Sequence, residues 1–373
     1  MYRTLIRPLL FRLNPETAHV FTLRMLKLVS SIPFCRKIVR LIFKRSHPSL
    51  ERVVFGIKFP GPVGLAGGLD KNGECYNEFS DFGFSFVEIG SLTARPQPGN
   101  PKPRIFRVVE DNAIINRMGI NNEGASNAVR NLVKDRPEVI VAGNIAPNSS
   151  SHGEQVAEDY ATAFSVLYDH VDMFVINISC PNVEGLTSLQ DVSSLSDIMD
   201  NLLNMRTGFD TYKPVLLKLS PDLSHSQIDE LIEYSLVSGI DGIVAGNTTR
   251  TRDGLTIPQE RIEEIGKGGM SGAPLYHKNL EMVRYIREKS RGRLPIIGAG
   301  GIMTPAQAQE MLDAGASLIE IYTGFIYNGP GYVEKILKHL EKNLTQKHGQ
   351  QPPSAQSEMR FSLARSWIRI HPE

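Results

Sequence analysis

The segment VINISCPNVEGL, residues 175–186, places Cys180 after an apolar run and before a proline and an asparagine. The chain has three cysteines, Cys35, Cys75 and Cys180, and none lies in a C-x-x-C pair, which argues against a disulfide framework and a structural zinc site. A cysteine beside cations or hydrogen-bond donors has a lowered pKa and can act as a base, whereas one in apolar surroundings packs as a small hydrophobe. Cys180 is therefore either a reactive group or a structural one.

Two lysines, Lys71 and Lys218, lie in or beside apolar segments. Lys218 lies within LLKLSP, and Lys71 follows GLAGGLD. A buried ammonium group is costly unless it meets negative charge. A flavin gains negative charge along its pyrimidine edge on reduction, and a fixed ammonium there stabilises the reduced form. The lysines therefore favour a flavin over nicotinamide, for which the chain shows no dinucleotide-binding turn after its first predicted strand.

Four asparagines offer a second kind of polar group: Asn116, Asn177, Asn182 and Asn247. Each side chain carries a carbonyl acceptor and an NH₂ donor, a combination that suits a flat ligand with alternating amide edges, such as a pyrimidine. Each could equally be a turn residue or a helix cap, because asparagine is common at both.

Charge is unevenly distributed along the 373 residues, of which 41% are hydrophobic and 22% charged. Residues 1–50 hold ten Lys or Arg and one acid, Glu16, for a net charge of +9, and the remainder holds 31 basic and 39 acidic residues, for −8. Within residues 1–50, TAHVFTLRMLKLV and CRKIVRLIFKR place apolar residues at helical spacing between basic ones, and no apolar run approaches the ~20 residues of a membrane span. We expect two basic helices that either lie on a membrane surface or cap the main domain. Neither a signal peptide nor nucleic-acid binding is predicted, because a cleavage site and interleaved aromatic residues are missing.

After Pro60, eight short apolar runs alternate with helical patterns. The runs are residues 63–67, 86–91, 139–144, 174–179, 215–220, 242–249, 295–301 and 318–325. Near-continuous apolar strands separated by helices indicate a parallel sheet covered on both faces. Eight such units predict an α/β fold, the (β/α)₈ TIM barrel. A doubly wound open sheet is the alternative, but the dinucleotide-binding turn of that fold does not fit GGLDKNGE after the first run.

Polar or glycine residues end nearly every run, and in this barrel the C-terminal ends of the strands form the active-site face. In chain order they are Asp70 and Lys71, Ser91, Asn144, Asn177 with Cys180, Lys218, Asn247 with Thr248, Gly300 with Gly301, and Tyr322 with Thr323. The turns GAGG and YTGF follow the last two strands, where this fold usually binds phosphate, and GGMSGAP adds a third glycine-rich turn. The turns predict a phosphate-bearing cofactor.

Seven motifs, in order and at matching spacing over residues 5–340, resemble those of the dihydroorotate dehydrogenase family. They are GLAGGLDKNGE, RPQPGNPKPRIFR, INRMGINNEG, NISCPN, GNTT, GGMSGAPL and IIGAGGI…IYTGFIY. The resemblance implies oxidation of dihydroorotate to orotate with one FMN per chain, in de novo pyrimidine (UMP) biosynthesis. The PQPGNPKPR loop, the helical N-terminus and NPETAH resemble the class 2 branch, which is membrane-associated and passes electrons to quinone.

The resemblance also implies which residues form the sites. The FMN contacts are Gly67, Gly68, Leu69, Asp70, Lys71, Ser91, Asn144, Asn177, Lys218, Gly272, Gly301, Tyr322 and Thr323. The substrate contacts are Lys71, Asn116, Arg117, Met118, Gly119, Ile120, Asn177, Asn182, Asn247 and Thr248. His19 and Arg107 are expected to flank the quinone head, and the N-terminal helices are expected to contact lipid.

Cys180 occupies the position of the family's catalytic base, where class 2 enzymes ordinarily carry serine. Cysteine belongs there to the soluble class 1 enzymes, which reduce fumarate or NAD. Ser91 and Gly246 also replace the usual class 2 threonine, and only Ser91 keeps a hydroxyl. Three functions therefore stay open: oxidation with quinone, the same oxidation with a soluble acceptor, and an idle flavin-binding protein that docks on membranes.

The expected domains are a helical quinone-tunnel domain over residues 1–50, a barrel over 51–343 and a tail over 344–373. The tail contains a polar linker and then MRFSLARSWIRI, which suggests either a second membrane contact or a terminal helix packed on the barrel. The resemblance implies a monomer. The protein is expected to be a peripheral membrane protein on the cytoplasmic side of a bacterial cell membrane, with the mitochondrial inner membrane as the alternative location.

Overall fold

The computed structural model describes residues 2–178 and 192–349. Cys180, Asn182 and the tail from residue 350 onward lie outside the described residues. Three helices begin the chain after a π-helical turn at Tyr2–Ile6. They are α1 (Arg7–Arg12), α2 (Pro15–Ser30) and α3 (Pro33–Phe43). The two predicted basic helices are thus present as α2 and α3, and each begins with a proline, which is tolerated there because the first N–H groups of a helix need no partner within it.

A short antiparallel hairpin leads into the main sheet, after a 3₁₀ turn at Pro48–Leu50. Its strands are β1 (Arg52–Val54) and β2 (Ile57–Phe59). Phe59 packs edge-to-face on Phe86, with ring centroids 5.5 Å apart, among the first residues of several barrel strands. The hairpin therefore fills the N-terminal end of the barrel and leaves the opposite end for a site.

Eight parallel strands close into a barrel in chain order, which confirms the predicted TIM barrel. The strands are β3 (Val63–Leu65), β4 (Phe86–Leu92), β7 (Ile140–Ile145), β8 (Met173–Asn177), β9 (Val215–Leu219), β10 (Gly242–Ala245), β12 (Ile296–Ala299) and β13 (Leu318–Ile321). Ile319 of β13 pairs with Val63 of β3, which closes the sheet. The strands end earlier than several predicted runs because the last residues of those runs form turns, or begin a helix as at Thr323.

A separate antiparallel sheet of three strands was not predicted from the sequence. It contains β5 (Ile105–Val108), β6 (Ala113–Asn116) and β11 (Gly269–Gly272), with β6 in the centre. Its strands are only four residues long, too short for a clear alternation pattern. This sheet carries Arg107, Asn116 and Gly272, and so places three of the predicted site residues.

Helices follow most barrel strands and cover the outer face. They are α4 (Tyr76–Ser80), α5 (Ala125–Lys134), α6 (Glu154–Leu167), α7 (Val192–Arg206), α8 (His225–Ser238), α9 (Gln259–Ile265), α10 (Tyr276–Lys289), α11 (Pro305–Asp313), α12 (Thr323–Asn328) and α13 (Tyr332–Gly349), with 3₁₀ turns at Tyr168–His170 and Ala273–Leu275. Capping boxes begin α8 at Ser224 and α11 at Thr304. Helix α13 continues past residue 343, where the barrel domain is predicted to end. In the described part of the chain, no helix combines the length and hydropathy that crossing a bilayer requires.

Candidate active site

One cavity of about 450 Å³ extends from the C-terminal ends of the barrel strands to the N-terminal helices. Of the residues predicted to contact FMN, the cavity is lined by Gly67, Gly68, Leu69, Lys71, Ser91, Asn144, Asn177, Lys218, Gly272, Gly301, Tyr322 and Thr323. Of the predicted substrate and quinone contacts, it is lined by Lys71, Asn116, Met118, Gly119, Ile120, Asn177, Asn247, Thr248, His19 and Arg107. The residues that the resemblance predicts for FMN, substrate and quinone thus line one cavity, apart from the few named below and those outside the described residues.

Asp70 and Arg117 make contacts that point away from this cavity. The Asp70 carboxylate accepts hydrogen bonds of 2.7 Å from the backbone N–H groups of Glu74 and Cys75, and burial raises its pKa to about 6. The Arg117 guanidinium donates to the backbone carbonyls of Ile265 and Lys267. Both side chains therefore organise loops at the edge of the site, and because neither residue lines the cavity, their ligand contacts stay predictions.

Three ionisable side chains form the floor of the cavity. Lys218 Nζ lies 2.6 Å from Glu88 Oε1 and 3.7 Å from Glu320 Oε2. All three side chains are buried inside the barrel. Burial by itself would lower the pKa of Lys218, but Glu88 foremost, and Glu320 after it, raise that pKa above its ordinary value. Lys218 is therefore a cation throughout the physiological range of pH.

Asn144 is held by the same carboxylate. Its Nδ2 donates to Glu88 Oε1, whereas its buried Oδ1 has no hydrogen-bond partner among the described residues. A buried carbonyl oxygen without a partner is costly in an otherwise well-satisfied structure. Asn144 therefore presents an acceptor that a bound ligand with an N–H group would satisfy.

A relay of amides crosses the ends of three strands. Asn177 Nδ2 donates to Ser91 Oγ at 2.9 Å, and Asn247 Nδ2 donates to Asn177 Oδ1 at 3.3 Å. Asn247 Oδ1 in turn accepts from the backbone N–H of Thr248 at 2.8 Å. These bonds fix which way each amide faces, so that the asparagines form an ordered polar wall rather than a set of independent turn residues.

Lys71 lies between the barrel end and helix α2. Its Nζ donates to the Gly68 carbonyl, and burial together with the charge of Arg104 lowers the pKa of Lys71 to about 8. An anionic ligand beside Lys71 would stabilise the ammonium form. Lys71 is thus suited to bind a carboxylate at neutral pH and loses its charge in the mildly alkaline range.

The glycine-rich turns after the last strands require glycine for steric reasons. Gly301 has φ +76°, and a Cβ there would lie 2.4 Å from the backbone N and Cα of Tyr276. Gly272 has φ +108°, and its Cβ would lie 2.3 Å from the carbonyl oxygen of Asn112. Only glycine combines this backbone conformation with such close approach, which keeps the turns compact where the predicted phosphate would bind.

The far end of the cavity is lined by one face of α2. The lining residues recur at helical spacing: Pro15, Ala18, His19, Thr22, Leu23 and Leu26. Burial and the charge of Lys71 lower the pKa of His19 to about 3, so its ring is neutral. On the opposite wall, Arg107 donates to the carbonyls of Phe11 and Leu13 at 3.2 and 2.8 Å and lies over the Phe11 ring. This end is therefore apolar, with a neutral imidazole and a guanidinium as its polar groups.

A buried ion pair attaches α2 to the loop beside the substrate residues. Arg104 donates to both carboxylate oxygens of Glu16, at 2.8 and 3.3 Å, and its other nitrogen donates to the carbonyls of Pro98 and Asn100. Asn100 continues the connection, because its Nδ2 donates to the Arg117 carbonyl at 2.9 Å. The N-terminal helices are thus bound firmly to the barrel.

Comparison with known proteins decides the family. A family model described as Dihydroorotate dehydrogenase matches residues 49–344. The chain belongs to the dihydroorotate dehydrogenase family. It is 46% identical over 345 residues to the Christiangramia forsetii protein named Dihydroorotate dehydrogenase (quinone), an alignment that covers 92% of this chain and 100% of that one. The Kineococcus radiotolerans protein of the same name is 40% identical, over 94% of this chain and 98% of that one.

Solved structures agree with this assignment. The ligand-free DHODH of Eimeria tenella superposes with a TM-score of 0.77 at 31% identity, over 84% of this chain and 94% of that one. The structure of the Eimeria tenella enzyme in complex with ferulenol superposes with a TM-score of 0.76, over 85% and 92% of the two chains. The predicted membership of the quinone-named, class 2 branch is therefore confirmed, and the chain is an oxidoreductase of this family.

Several residues of this dihydroorotate dehydrogenase site were not predicted from the sequence. Glu320 lines the floor of the cavity, and Glu88 contacts Lys218 there. Both could have been suspected from the sequence, because each is the single acid within an apolar run, FVEIGS or LIEIYTGF. The inward face of α2 was detectable from its i, i+3, i+4 spacing. Tyr2, which lines the cavity and whose hydroxyl donates to the Ile326 carbonyl at 2.7 Å, had no comparable signal.

Proposed function

We propose that the chain oxidises dihydroorotate to orotate with FMN and passes the electrons to a membrane quinone, in de novo pyrimidine biosynthesis. The observation that supports this most directly is the continuity of the cavity. Its barrel end is glycine-rich and amide-lined, and its other end is apolar and lies against α2. One enclosure of this kind suits a reaction in which a polar substrate and an apolar acceptor exchange electrons with the same cofactor.

The residues present fit FMN, as the buried Asn144 Oδ1 without a partner and the glycine cradle indicate. Lys218, Asn144 and Asn177 would hold the ring system, and the turns at Gly272, Gly301 and Thr323 would hold the phosphate. When bound, FMN supplies the acceptor for the substrate's hydride and passes electrons on to a second substrate. One FMN per chain is proposed, as the family resemblance implies.

For the substrate, Lys71 would bind the carboxylate, and the amide wall of Asn116, Asn177 and Asn247 would bind the ring amide edges. Fixing the ring in this way aligns carbon 6 with the cofactor and carbon 5 with a base. Asn182 is proposed to complete the wall, and it lies outside the described residues. The relay from Ser91 through Asn177 to Asn247 supports this assignment, because it presets the direction of the amides.

Cys180 is proposed as the base that removes a proton from carbon 5. A free cysteine titrates near ~8.5, and neighbouring cations and donors lower this value toward the pH at which a general base works best. The chain would thus combine a class 2 body with the cysteine of class 1. Cys180 lies outside the described residues, and the described strand β8 leads directly to it through the buried Asn177 and Ile178.

For the acceptor, His19 and Arg107 would flank the quinone head at the apolar end. On the N-terminal helices, 13 of the 18 large hydrophobic side chains that are exposed in the described residues lie between Leu5 and Ile42. An exposed apolar surface with net positive charge suits an interface with anionic lipid. We therefore propose peripheral attachment through α1, α2 and α3, on the cytoplasmic side of a bacterial membrane, as a monomer.

The deciding experiment is anaerobic. The bound flavin is first reduced with dihydroorotate and then mixed with ubiquinone or menaquinone analogues, with fumarate or with NAD. Rapid reoxidation by quinone alone is expected, since the apolar end of the cavity favours an apolar acceptor. Reoxidation by fumarate or NAD would instead assign the enzyme to the soluble-acceptor chemistry that Cys180 favours. A purified protein without flavin colour would contradict the proposed function altogether.

A further inference from the structure

The floor of the cavity contains more ionisable groups than the proposed chemistry uses. Glu88 is on β4, Lys218 on β9 and Glu320 on β13, and their exposed fractions are 0%, 5% and 1%. Buried charges are strongly destabilising unless they are paired and hydrogen-bonded. The contacts of each carboxyl group therefore indicate its role.

Glu88 accepts hydrogen bonds from two of the residues proposed to bind FMN, both through one oxygen, and lies beside a third. Its Oε1 accepts from Lys218 Nζ at 2.6 Å and from Asn144 Nδ2. A Cβ at Gly67 would lie 2.3 Å from the same oxygen, so glycine at this position leaves room for the carboxylate. Glu88 thus determines where the ammonium of Lys218 and the amide of Asn144 face the cavity.

Glu320 is in a different state. Neither of its carboxylate oxygens has a hydrogen-bond partner among residues 2–178 and 192–349. Burial raises the pKa of Glu320 well above its ordinary value, and the nearby charge of Glu88 raises it further. Burial and the nearby charge of Glu88 therefore both favour the protonated form of Glu320, whereas Glu88 accepts two hydrogen bonds through Oε1.

We propose that Glu88 is a positioning residue of the flavin site, which orients Lys218 and Asn144 and balances the charge of the ammonium that the flavin meets on reduction. Glu320 completes the packing of the floor without adding charge. This inference rests on the proposed function, because it presumes that FMN binds above Lys218. Its consequence is that the reduction potential of the bound flavin depends on Glu88 and hardly on Glu320.

The test compares Glu88→Gln with Glu320→Gln as FMN-loaded proteins at pH 7, with the potential measured photometrically against a reference dye. In E88Q the ammonium loses its counter-charge, so the ratio of reduced to oxidised flavin at a fixed poise should rise about tenfold, which is about 30 mV for a two-electron couple. In E320Q, where a neutral amide replaces a neutral acid, the ratio should stay within about twofold of the wild type.

The double variant E88Q/E320Q tests whether Glu320 ionises once the charge of Glu88 is gone, which would restore the counter-charge of Lys218 and hide the effect of E88Q. Its potential should rise at least as far as that of E88Q. Equal shifts in the two single variants would show that both carboxyl groups carry the charge and would overturn the proposal. So would an unchanged potential in both E88Q and the double variant.

If E88Q does not fold, Glu88→Asp keeps the charge but withdraws the carboxylate by one methylene from Lys218 and Asn144. FMN should then bind the refolded apoprotein about tenfold more weakly, and unchanged affinity would overturn the positioning role. The wild-type protein separates the two levels of inference. Absence of FMN from it refutes the proposed function, whereas wild-type FMN binding with no response to these substitutions refutes the inference alone.

Discussion

The barrel and the N-terminal helices distribute polarity in opposite ways. At the floor of the barrel, Glu88 and Lys218 are almost completely buried, whereas Phe34 and Leu41 on α3 are 72% and 78% exposed. Burial of ions and exposure of large apolar side chains both reduce the stability of a fold. Each region departs from the usual pattern where the proposed function requires it. The buried ions of the barrel face the proposed cofactor, and the exposed apolar side chains of α3 face the proposed lipid surface.

Helix α2 combines both patterns within 16 residues. Its inward residues, such as Ala18 and Leu23, line the cavity, whereas Phe21 and Leu28, seven residues apart on another face, are 49% and 56% exposed. A helix with apolar residues on two faces needs two apolar neighbours. The cavity is one of them, and we propose that lipid is the other, so that an acceptor could pass from the membrane to the cavity along α2.

The largest expected effect is on the half-reaction in the barrel, the reduction of the flavin by dihydroorotate, in which the N-terminal helices take no part. Cys180→Ala should slow reduction of the flavin by dihydroorotate about 10³-fold, since general base catalysis typically contributes 10²–10⁴-fold. Cys180→Ser should retain activity with a more alkaline pH profile. Stopped-flow measurement of flavin reduction tests this, with Cys35→Ala on α3 as the control. A wild-type rate of flavin reduction in the Cys180→Ala protein would refute the assignment of Cys180 as the base.

The second prediction concerns the exposed apolar surface. Phe34→Glu combined with Leu41→Glu should weaken binding to vesicles containing anionic lipid by at least about 100-fold, because each buried apolar side chain contributes about 1.5–3 kcal/mol. The matched control is Val133→Glu with Val237→Glu, which changes two exposed side chains on α5 and α8 by the same charge. Vesicle co-sedimentation measures both. Equal losses in the two double variants would mean that added negative charge, rather than the apolar surface, governs binding.

The third prediction tests the two faces of α2 against each other. Ala18→Phe places a large ring in the cavity and should slow reoxidation of the flavin by a quinone analogue at least tenfold, while reduction by dihydroorotate is unchanged. Val20→Phe on the outer face, where Val20 is 41% exposed, should leave both rates unchanged. Because a larger core side chain costs typically 1–3 kcal/mol, thermal unfolding is measured in parallel. A loss confined to dihydroorotate oxidation would contradict the proposed acceptor path.

The smallest effect comes from Lys71. Its pKa of about 8 means that the ammonium form dominates below pH 8 and is lost above it. An anionic substrate binds the ammonium form, so affinity for dihydroorotate should fall as pH rises, by about fourfold between pH 7 and pH 8.5. Lys71→Arg should remove this dependence, because guanidinium stays charged. Titration of flavin reduction against substrate concentration measures it, and a flat wild-type profile would contradict the prediction.

The barrel could be predicted from the sequence because its signals are local. Runs such as VLLKLS and PIIGAGG show their burial through continuous apolar residues, and the closed fold then brings their C-terminal ends to one face. The same rule predicts that Lys218, Asn144 and Asn177 lie around one site, and the structure shows all three lining the cavity. The basic amphipathic patterns that predict α2 and α3 are local as well.

Other features depended on contacts between distant parts of the chain. Glu88 and Lys218 are 130 residues apart, and Glu16 and Arg104 are 88 apart, so each pairing exists only once the barrel has closed and α2 has docked. The sheet of β5, β6 and β11 joins segments separated by more than 150 residues. Arg117 donates to the carbonyls of Ile265 and Lys267, which are 148 and 150 residues away in the sequence. Residue types and local periodicity were thus determined by the sequence alone, whereas partners and orientations were decided by the tertiary structure, because a side chain's direction depends on what the rest of the fold places beside it.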